Sequence, residues 1–406
     1  MTETITEFVP PRRPGFTLEQ PYYTSEFIFN EDLKHVFFKQ WLFAGHASSV
    51  PKPGDFFTLE LGTESIIIIR DDQLRLHSLW NVCRHRGSQI CTESEGSARS
   101  LVCPYHQWVY RPDGSLLKAR LMPEDFDTAG HGLFRAHLAV IEGLIFVCLA
   151  DRPPDFGPFR TSIEPRLRPH DLTNAKVCHR QRYEIHANWK LVVENSRECY
   201  HCGVAHPQYC DAVGFASAIG SESMQAETAA LEAKRKRELQ QLGLETEAVP
   251  FESDSWFHYR RFFLRSGFVT ESMDGQPVAP LMGSLPQRDV GVFAVVTLPN
   301  LLLEASSDYV MTLRLIPKAS LVTEAEVSWL VRSDAKEGVD YDVDRLTKFW
   351  RLTSEQDWKL CEDNQKGVNS SKYRPGAYGP TESGVEHFVQ WYTKQLERAE
   401  DHCGKS

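Results

Sequence analysis

Several features that define common functional classes are missing from this sequence. Lys and Arg number 45 against 55 Asp and Glu, and the only basic cluster is at 234–237, so nothing indicates a surface that follows nucleic-acid phosphates. The longest apolar runs, at 65–69 and 143–150, are far shorter than the roughly 20 residues of a membrane-spanning helix. The chain has no internal repeat and no low-complexity tract. We therefore expect no nucleic-acid partner and no membrane partner.

The N-terminus is acidic and lacks the charged and then apolar layout of a secretion signal, which predicts a cytoplasmic, thiol-reducing setting. The ten cysteines among 406 residues are then expected to be buried thiols or metal ligands rather than a disulfide framework. The sequence also lacks a strand followed by G-x-G-x-x-G and lacks a P-loop. It is not expected to bind its own nicotinamide or flavin.

The pattern of turns and apolar residues divides the chain in two. From Phe43 to about Leu149, short strand-like segments alternate with Gly, Pro and Asp turns, which predicts a small all-β module. The Pro-rich stretch 151–158 is typical of a linker. Helical and strand-like segments mix beyond it, which predicts an α+β domain. Helices are expected at 188–200, 222–242, 342–362 and 382–400, and strands at 262–330.

Four potential metal ligands occur as two Cys/His pairs in the first module. Cys83 and His85 form C-x-H, and Cys103 and His106 form C-x-x-H after seventeen intervening residues. This donor set suits an iron–sulfur centre in which two histidines replace two cysteines on one iron. One iron would be held by the two cysteines and the other by the two histidines. A structural zinc site is the alternative, although zinc fingers usually take like ligands in pairs.

A second polar constellation lies in the segment 188–207. At about 100° per residue, four polar side chains share one face of the predicted helix, behind apolar residues 191–193, and would be costly to bury unless metal-bound or paired. These side chains are Glu194, Asn195, Glu198 and His201. His201 and His206 are five residues apart, so both can bind one ion only if the helix distorts or ends between them, which Gly203 and Pro207 allow. Two histidines with one carboxylate are typical of oxygen-activating ferrous iron. The alternative is a pair of surface or core histidines near a helix end.

Together the motifs resemble those of the Rieske non-haem iron oxygenases (alpha subunit), over most of the chain from 21 to 396. They are C-R-H-R-G at 83–87, C-P-Y-H-Q-W at 103–108, and N-W-K-x₃-E-N-x₂-E-x-Y-H-x₄-H-P at 188–207. The resemblance implies an N-terminal all-β Rieske [2Fe–2S] domain and a C-terminal antiparallel-sheet helix-grip catalytic domain. We place an N-terminal segment that packs on the catalytic domain at 1–42, the Rieske domain at 43–158 and the catalytic domain at 159–406.

The resemblance also assigns roles to residues of the second motif. It implies that His201 and His206 bind mononuclear Fe(II), and the family pattern of an acidic pair followed eight residues later by Gln selects Asp357 as the third ligand. Cys361, Asn364 and Gln365 would share the helical face of Asp357. Glu198 takes the place of the family's acidic link to a cluster histidine of the neighbouring subunit, where many members have Asp. Asn195 is the other expected catalytic residue.

Within this family, the sequence is most similar to the betaine demethylase branch. This implies hydroxylation of an N-methyl group of a quaternary ammonium betaine, such as proline betaine or glycine betaine, with release of formaldehyde. It also implies a homotrimer and a separate NAD(P)H-dependent reductase of the flavin or ferredoxin type. Two alternatives stay open: an aromatic-ring-hydroxylating dioxygenase, and a Rieske electron-transfer protein without oxygenase activity. The aromatic residues at 256–263 either bind the cation or pack as a core strand.

Overall fold

The computed structural model describes residues 12–213, 222–249 and 254–403. These residues form two compact units, Phe38–Phe156 and the remainder of the described chain. Residues 1–11 of the predicted N-terminal segment and residues 214–221, 250–253 and 404–406 of the predicted catalytic domain lie outside the described residues. Each helix in the described part is too short or too polar to cross a membrane. The predicted boundaries at 42/43 and 158/159 stay predictions.

The first unit is built from ten short strands, as the turn-rich sequence predicts. They form sheets of three, four and three strands in the orders β1-β10-β9, β4-β3-β2-β5 and β6-β7-β8. The strands are β1 Leu42–His46, β2 Asp55–Leu61, β3 Glu64–Arg70, β4 Leu76–Trp80, β5 Glu95–Ser97, β6 Leu101–Val102, β7 Val109–Tyr110, β8 Leu116–Lys118, β9 His137–Ile141 and β10 Leu144–Cys148.

The core of this unit reaches directly to the first cysteine motif. Ile67 and Ile69 of β3 are fully buried and belong to the same apolar cluster as Cys83 and Cys103. The β2–β3 hairpin turns at residues 62–63, where Gly62 adopts a positive φ of 58°, as tight hairpin turns require. The sheet therefore supplies a rigid apolar base beneath both cysteines.

The second unit combines one large sheet with helices. Six antiparallel strands are ordered β11-β16-β15-β14-β13-β12. The strands are β11 Ala175–Ile185, β12 Phe257–Phe262, β13 Val292–Thr297, β14 Leu301–Ala305, β15 Val310–Ala319 and β16 Val322–Arg332. The helices are α1 Gln20–Thr24, α2 Glu26–His35, α3 Gly157–Leu167, α4 Trp189–Asn195, α5 Cys202–Ala205, α6 Pro207–Val213, α7 Glu222–Gln241, α8 Val343–Val368 and α9 Ser383–Cys403. Short 3₁₀ turns occupy Arg168–His170 and Leu172–Asn174 in this unit and Ala47–Ser49 and Ala129–His131 in the first unit, and Phe37–Lys39 spans the division between the two.

The long helix α8 packs against one face of the six-stranded sheet. Tyr183 on β11 contacts Trp358 on α8, with ring centroids 6.1 Å apart. Asp342 starts α8 by accepting a hydrogen bond from the backbone N–H of Arg345, as N-cap residues do. Helix on antiparallel sheet is the predicted helix-grip architecture, and the fold prediction is confirmed.

The helix predicted at 188–200 is shorter than expected. Asn188 caps its start by accepting from the N–H of Lys190, but α4 ends at Asn195. Beyond it, Glu198 uses its carboxylate to accept hydrogen bonds from the backbone N–H groups of Tyr200 and His201. Such local bonds compete with helical bonding. The prediction that Glu194, Asn195, Glu198 and His201 share one helical face was therefore wrong.

The aromatic segment at 256–263 packs into the core. Tyr259 on β12 is buried, and its ring lies 5.9 Å from that of Phe293. Phe257 contacts Phe159 of α3 at 5.2 Å. The alternative of a core-packing strand is therefore the better interpretation for these two side chains.

Candidate metal centres

The first metal motif forms two tight loops at the edge of the all-β unit. The Cys83 backbone N–H bonds to the Ser88 carbonyl and the Cys103 N–H to the Trp108 carbonyl, both at 2.9 Å. Positive φ values at Gly87 and Gln107 turn the chain at corresponding points. Each loop thus closes on itself and presents one cysteine and one histidine.

The four side chains divide into a buried pair and a half-buried pair. Cys83 and Cys103 are 3% and 1% exposed, whereas His85 and His106 are half-buried. The two imidazole rings lie 4.6 Å apart between centroids, and the His85 ring stacks on Trp108 at 4.8 Å. The structure therefore brings all four predicted cluster residues together.

This pocket fits a [2Fe–2S] cluster held by mixed ligands. Nδ1 of His85 is buried and has no hydrogen-bond partner among the described residues, as expected of an atom reserved for a metal. The Tyr110 hydroxyl accepts from the backbone N–H of Arg84, which leaves its own hydrogen for Cys83 Sγ at 3.3 Å. Hydrogen bonds to ligand sulfur tune cluster potentials. Burial raises the pKa of the Cys83 thiol, an effect that metal binding must overcome.

The second motif brings three donor atoms from three places to one point. His201 immediately precedes the single-turn helix α5 and His206 immediately follows it, so the helix does end between them, as their spacing requires. Asp357 comes from the middle of α8. Nε2 of His201 lies 3.1 Å from Nε2 of His206, and Oδ1 of Asp357 lies 3.2 and 2.9 Å from these nitrogens.

This triangle has the dimensions of one face of a metal coordination shell. Ligands at about 2.1 Å from one metal lie about 3 to 3.4 Å apart, for right-angled and tetrahedral arrangements respectively, and the three observed edges are close to this range. Two histidines and one carboxylate on one face leave the opposite positions for other ligands. The donors therefore fit a ferrous ion with open coordination sites.

Both histidines are oriented by partners on their second ring nitrogen. Nδ1 of His201 lies 2.5 Å from Oε1 of Glu198, and Nδ1 of His206 lies 2.7 Å from Oε1 of Gln356. Gln208 donates to the same Gln356 oxygen at 2.9 Å. Donation from each Nδ1–H leaves each Nε2 lone pair available for a metal, the arrangement typical of histidine ligands.

The charges at this site favour a bound cation. Burial by itself lowers the pKa of His201, but the hydrogen bonds and charges of Asp357 and Glu198 outweigh it and raise the pKa to about 9. Burial by itself raises the pKa of Asp357, but hydrogen bonds from His201 and His206 lower it below the ordinary value. Asp357 thus stays ionised, and a metal ion would compete with protons for the two histidines.

Other predicted residues lie apart from this point. Glu194 is buried against Tyr23, which donates to it at 2.9 Å, and burial raises its pKa to about 8. Asn195 ends α4 half-buried. Within the described residues, its side chain makes no hydrogen bond to the three donors or to Glu198. Asn364 is exposed, so it does not face the interior beside Asp357 as predicted, whereas Cys361 and Gln365 are buried.

Three features of the site were not predicted. Two of them are the support that Gln356 and Gln208 give to His206. Gln356 directly precedes Asp357 and Gln208 lies two residues after His206, so their closeness to the ligands along the chain could have suggested this role. Cys199 and Cys202 form a disulfide on either side of His201, whereas thiols were expected. Seven other described cysteines are free.

Comparisons with known proteins agree with both centres. Residues 40–132 match the Rieske [2Fe-2S] domain, and residues 172–398 match the ring hydroxylating alpha subunit (catalytic domain). The glycine betaine monooxygenase oxygenase subunit of Chromohalobacter salexigens is 38% identical over 97% of this chain and 89% of its own.

Two solved structures have a similar fold. A quaternary ammonium Rieske monooxygenase, described in terms of carnitine oxidation and inter-subunit electron transfer, has a TM-score of 0.72 at 23% identity, over 93% of this chain and 96% of its own. Naphthalene 1,2-dioxygenase of Rhodococcus sp. has a TM-score of 0.66 at 17% identity, over 94% of each chain.

Proposed function

Because the chain belongs to the ring-hydroxylating alpha-subunit family of Rieske oxygenases, we propose that it hydroxylates an N-methyl group of a quaternary ammonium betaine. Glycine betaine and proline betaine are the substrates we favour. The observation that carries the proposal is the 38% identity, over 97% of this chain, to a glycine betaine monooxygenase oxygenase subunit. The hydroxylated N-methyl group would break down to formaldehyde and a tertiary amine.

The residues of the two centres would divide the work. Cys83, Cys103, His85 and His106 would hold the cluster, and His201, His206 and Asp357 would hold the iron. When bound, the cluster supplies single electrons and the iron supplies dioxygen activation. Glu198 would fix the tautomer of His201, and Gln356 would do the same for His206. Electrons would come from a separate NAD(P)H-dependent flavin or ferredoxin-type reductase.

We also propose a ring-shaped homotrimer in which Glu198 meets His85 or His106 of the neighbouring subunit. Exposed apolar side chains beside the cluster ligands and beside His201 support a protein interface at each of these two places. Tyr105 in the second cluster loop is 57% exposed, and Tyr200 and Val204 beside His201 are 67% and 92% exposed. Glu198 itself keeps about an eighth of its side chain exposed, at 13%, so a neighbouring residue could reach it.

An oxygen-dependent formaldehyde assay tests the substrate class. Purified chain, a reductase and NADH would be offered glycine betaine, proline betaine, carnitine and choline, with naphthalene as the neutral comparison. We expect formaldehyde in amounts equal to the betaine consumed, and no product without oxygen. Formation of a cis-diol from naphthalene, with no formaldehyde from any quaternary ammonium compound, would instead favour the ring-hydroxylating alternative.

A further inference from the structure

Two glutamates lie buried side by side in the catalytic unit. Glu304 on β14 is 5% exposed and Glu271, between β12 and β13, is fully buried, and their carboxyl groups interact. The Ser306 hydroxyl donates to Oε2 of Glu271 at 3.2 Å. Oε1 of Glu271 and Oε2 of Glu304 are buried and receive no hydrogen bond from a hydroxyl, amide or cationic group among the described residues, so each carboxyl group has the other as its partner. Two buried carboxyl groups can satisfy each other only while they hold a proton between them, so this pair requires an explanation.

No side chain within salt-bridge distance neutralises the pair in the described part of the chain. The nearest influence of this kind is the charge of Arg260, which lowers the pKa of Glu304 without an ion pair. Arg260 on β12 pairs with Ala294 on β13, and Ala294 pairs with Glu304 on β14, so the two charged residues are two strands apart. Burial raises the pKa of both glutamates, and the charge of Glu304 raises that of Glu271 further. Without a cation the pair therefore keeps at least one proton, and a cation bound beside it would favour the ionised form.

Another glutamate of the same sheet shows the contrast. Glu326 on β16 is also buried, but it pairs with Arg182 at 2.7 Å and with Arg314 at 3.3 Å. Register and strand alternation place Glu326 on the sheet face opposite to Glu304. The sheet thus places two arginines beside Glu326, whereas Glu304 has no salt bridge within the described residues.

Aromatic residues connect the glutamate pair to the iron-binding donors. Tyr209 on α6 lies three residues after His206, with ring centroids 6.5 Å apart. Burial, and then the charges of Glu304, Glu271 and Asp357, raise the pKa of its hydroxyl well above the ordinary value. The Tyr209 ring also lies 6.0 Å from that of Trp350. Trp350 lies seven residues before Asp357 on α8, so both side chains project from the same helical face.

Trp350 also faces Glu271. Its Nε1 is buried and close to that carboxyl group, but outside hydrogen-bond geometry. Tyr209 and Trp350 therefore connect the glutamate pair to the metal donors.

We propose that Glu271 and Glu304 recognise the cationic head group of the substrate, an inference that rests on the proposed function. A quaternary ammonium group donates no hydrogen bond, so it is held by negative charge and by aromatic faces. On ionisation beside the bound cation the pair supplies the charge, while Tyr209 and Trp350 supply the faces. A neutral hydrocarbon would gain nothing from this charge, so the same groups favour the cation over ring substrates.

Equilibrium binding of tetramethylammonium tests this recognition directly. Calorimetry on the full chain should show binding that Glu304→Gln and Glu271→Gln each weaken by at least about tenfold. Glu326→Gln, on the opposite sheet face, should bind as the parent does. With glycine betaine, the first two variants should raise KM and leave kcat nearly unchanged.

A second measurement needs no variant. The parent should bind glycine betaine at least about tenfold more tightly than its tert-butyl isostere, in which carbon replaces the charged nitrogen. Equal binding of the two compounds would overturn the proposal, whether or not the glutamine variants fold.

The outcomes separate this inference from the proposed function. If formaldehyde forms from a betaine while both glutamine variants keep the parental KM, the recognition role is wrong and the function stands. If the glutamates govern tetramethylammonium binding but no betaine yields formaldehyde, the function is wrong and the cation site stands.

Discussion

Replacing Asp357 with alanine should abolish turnover and remove mononuclear iron while leaving the cluster intact. Oδ1 of Asp357 forms two edges of the donor triangle, at 2.9 and 3.2 Å from the histidine nitrogens. Changes outside the ligand set commonly cost about 10- to 100-fold in metal affinity, so loss of a ligand should cost more than about 100-fold. Iron and sulfide analysis should show about two iron atoms per chain instead of about three, with sulfide unchanged.

Glu355 provides a matched control for this variant. It lies two residues before Asp357 on the same helix, and its side chain is exposed. Glu355→Ala should keep the parental iron content and the parental turnover. If Asp357→Ala retains full iron content, the third ligand must be reassigned.

The Glu198→Ala variant should reduce turnover by at least about 100-fold even when iron is supplied in excess. Glu198 accepts from Nδ1 of His201 at 2.5 Å, so its loss should weaken iron binding by about 10- to 100-fold. If it also links two subunits, electron transfer should fail after iron has been restored. Stopped-flow reoxidation of the reduced cluster by oxygen and substrate measures that step.

Two conservative variants separate the roles of Glu198. Glu198→Gln can still accept a hydrogen bond from His201 but carries no charge, whereas Glu198→Asp retains the negative charge on a shorter side chain. We expect Glu198→Asp to recover much of the reoxidation rate and Glu198→Gln to recover iron binding more than rate. Parental reoxidation in iron-loaded Glu198→Ala would exclude the linking role.

The sequence was most informative where ligands are close together along the chain. His85 follows Cys83 by two residues, so one tight loop must present both, and the spacing of the two Cys/His pairs predicted a mixed-ligand iron–sulfur centre, while the Rieske domain followed from the family resemblance. His201 and His206 were predictable as a pair from the whole motif at 188–207, provided that the helix distorts or ends between them. The structure brings the members of each pair together.

Other features depended on competition between local and tertiary interactions. The helical pattern extended through 200, but the Glu198 carboxylate bonds to backbone N–H groups and α4 ends at Asn195. Glu194 followed the helical pattern into the interior, yet its partner Tyr23 is 171 residues away.

The glutamate pair was beyond prediction for the same reason. Glu271 and Glu304 have no shared motif, and only the sheet and the loop between β12 and β13 bring them together.

Mixed assemblies test most directly the central claim, that electrons pass from the cluster of one chain to the iron of its neighbour during betaine oxidation. Cys103→Ser would remove a cluster ligand and Asp357→Ala an iron ligand, so each variant alone should be inactive. In a ring of randomly mixed chains, about a quarter of donor–acceptor contacts would pair an intact cluster with an intact iron site. We predict that co-expressed variants recover about that fraction of parental formaldehyde formation. Mixed assemblies that contain both chains and stay as inactive as either variant alone would contradict the account.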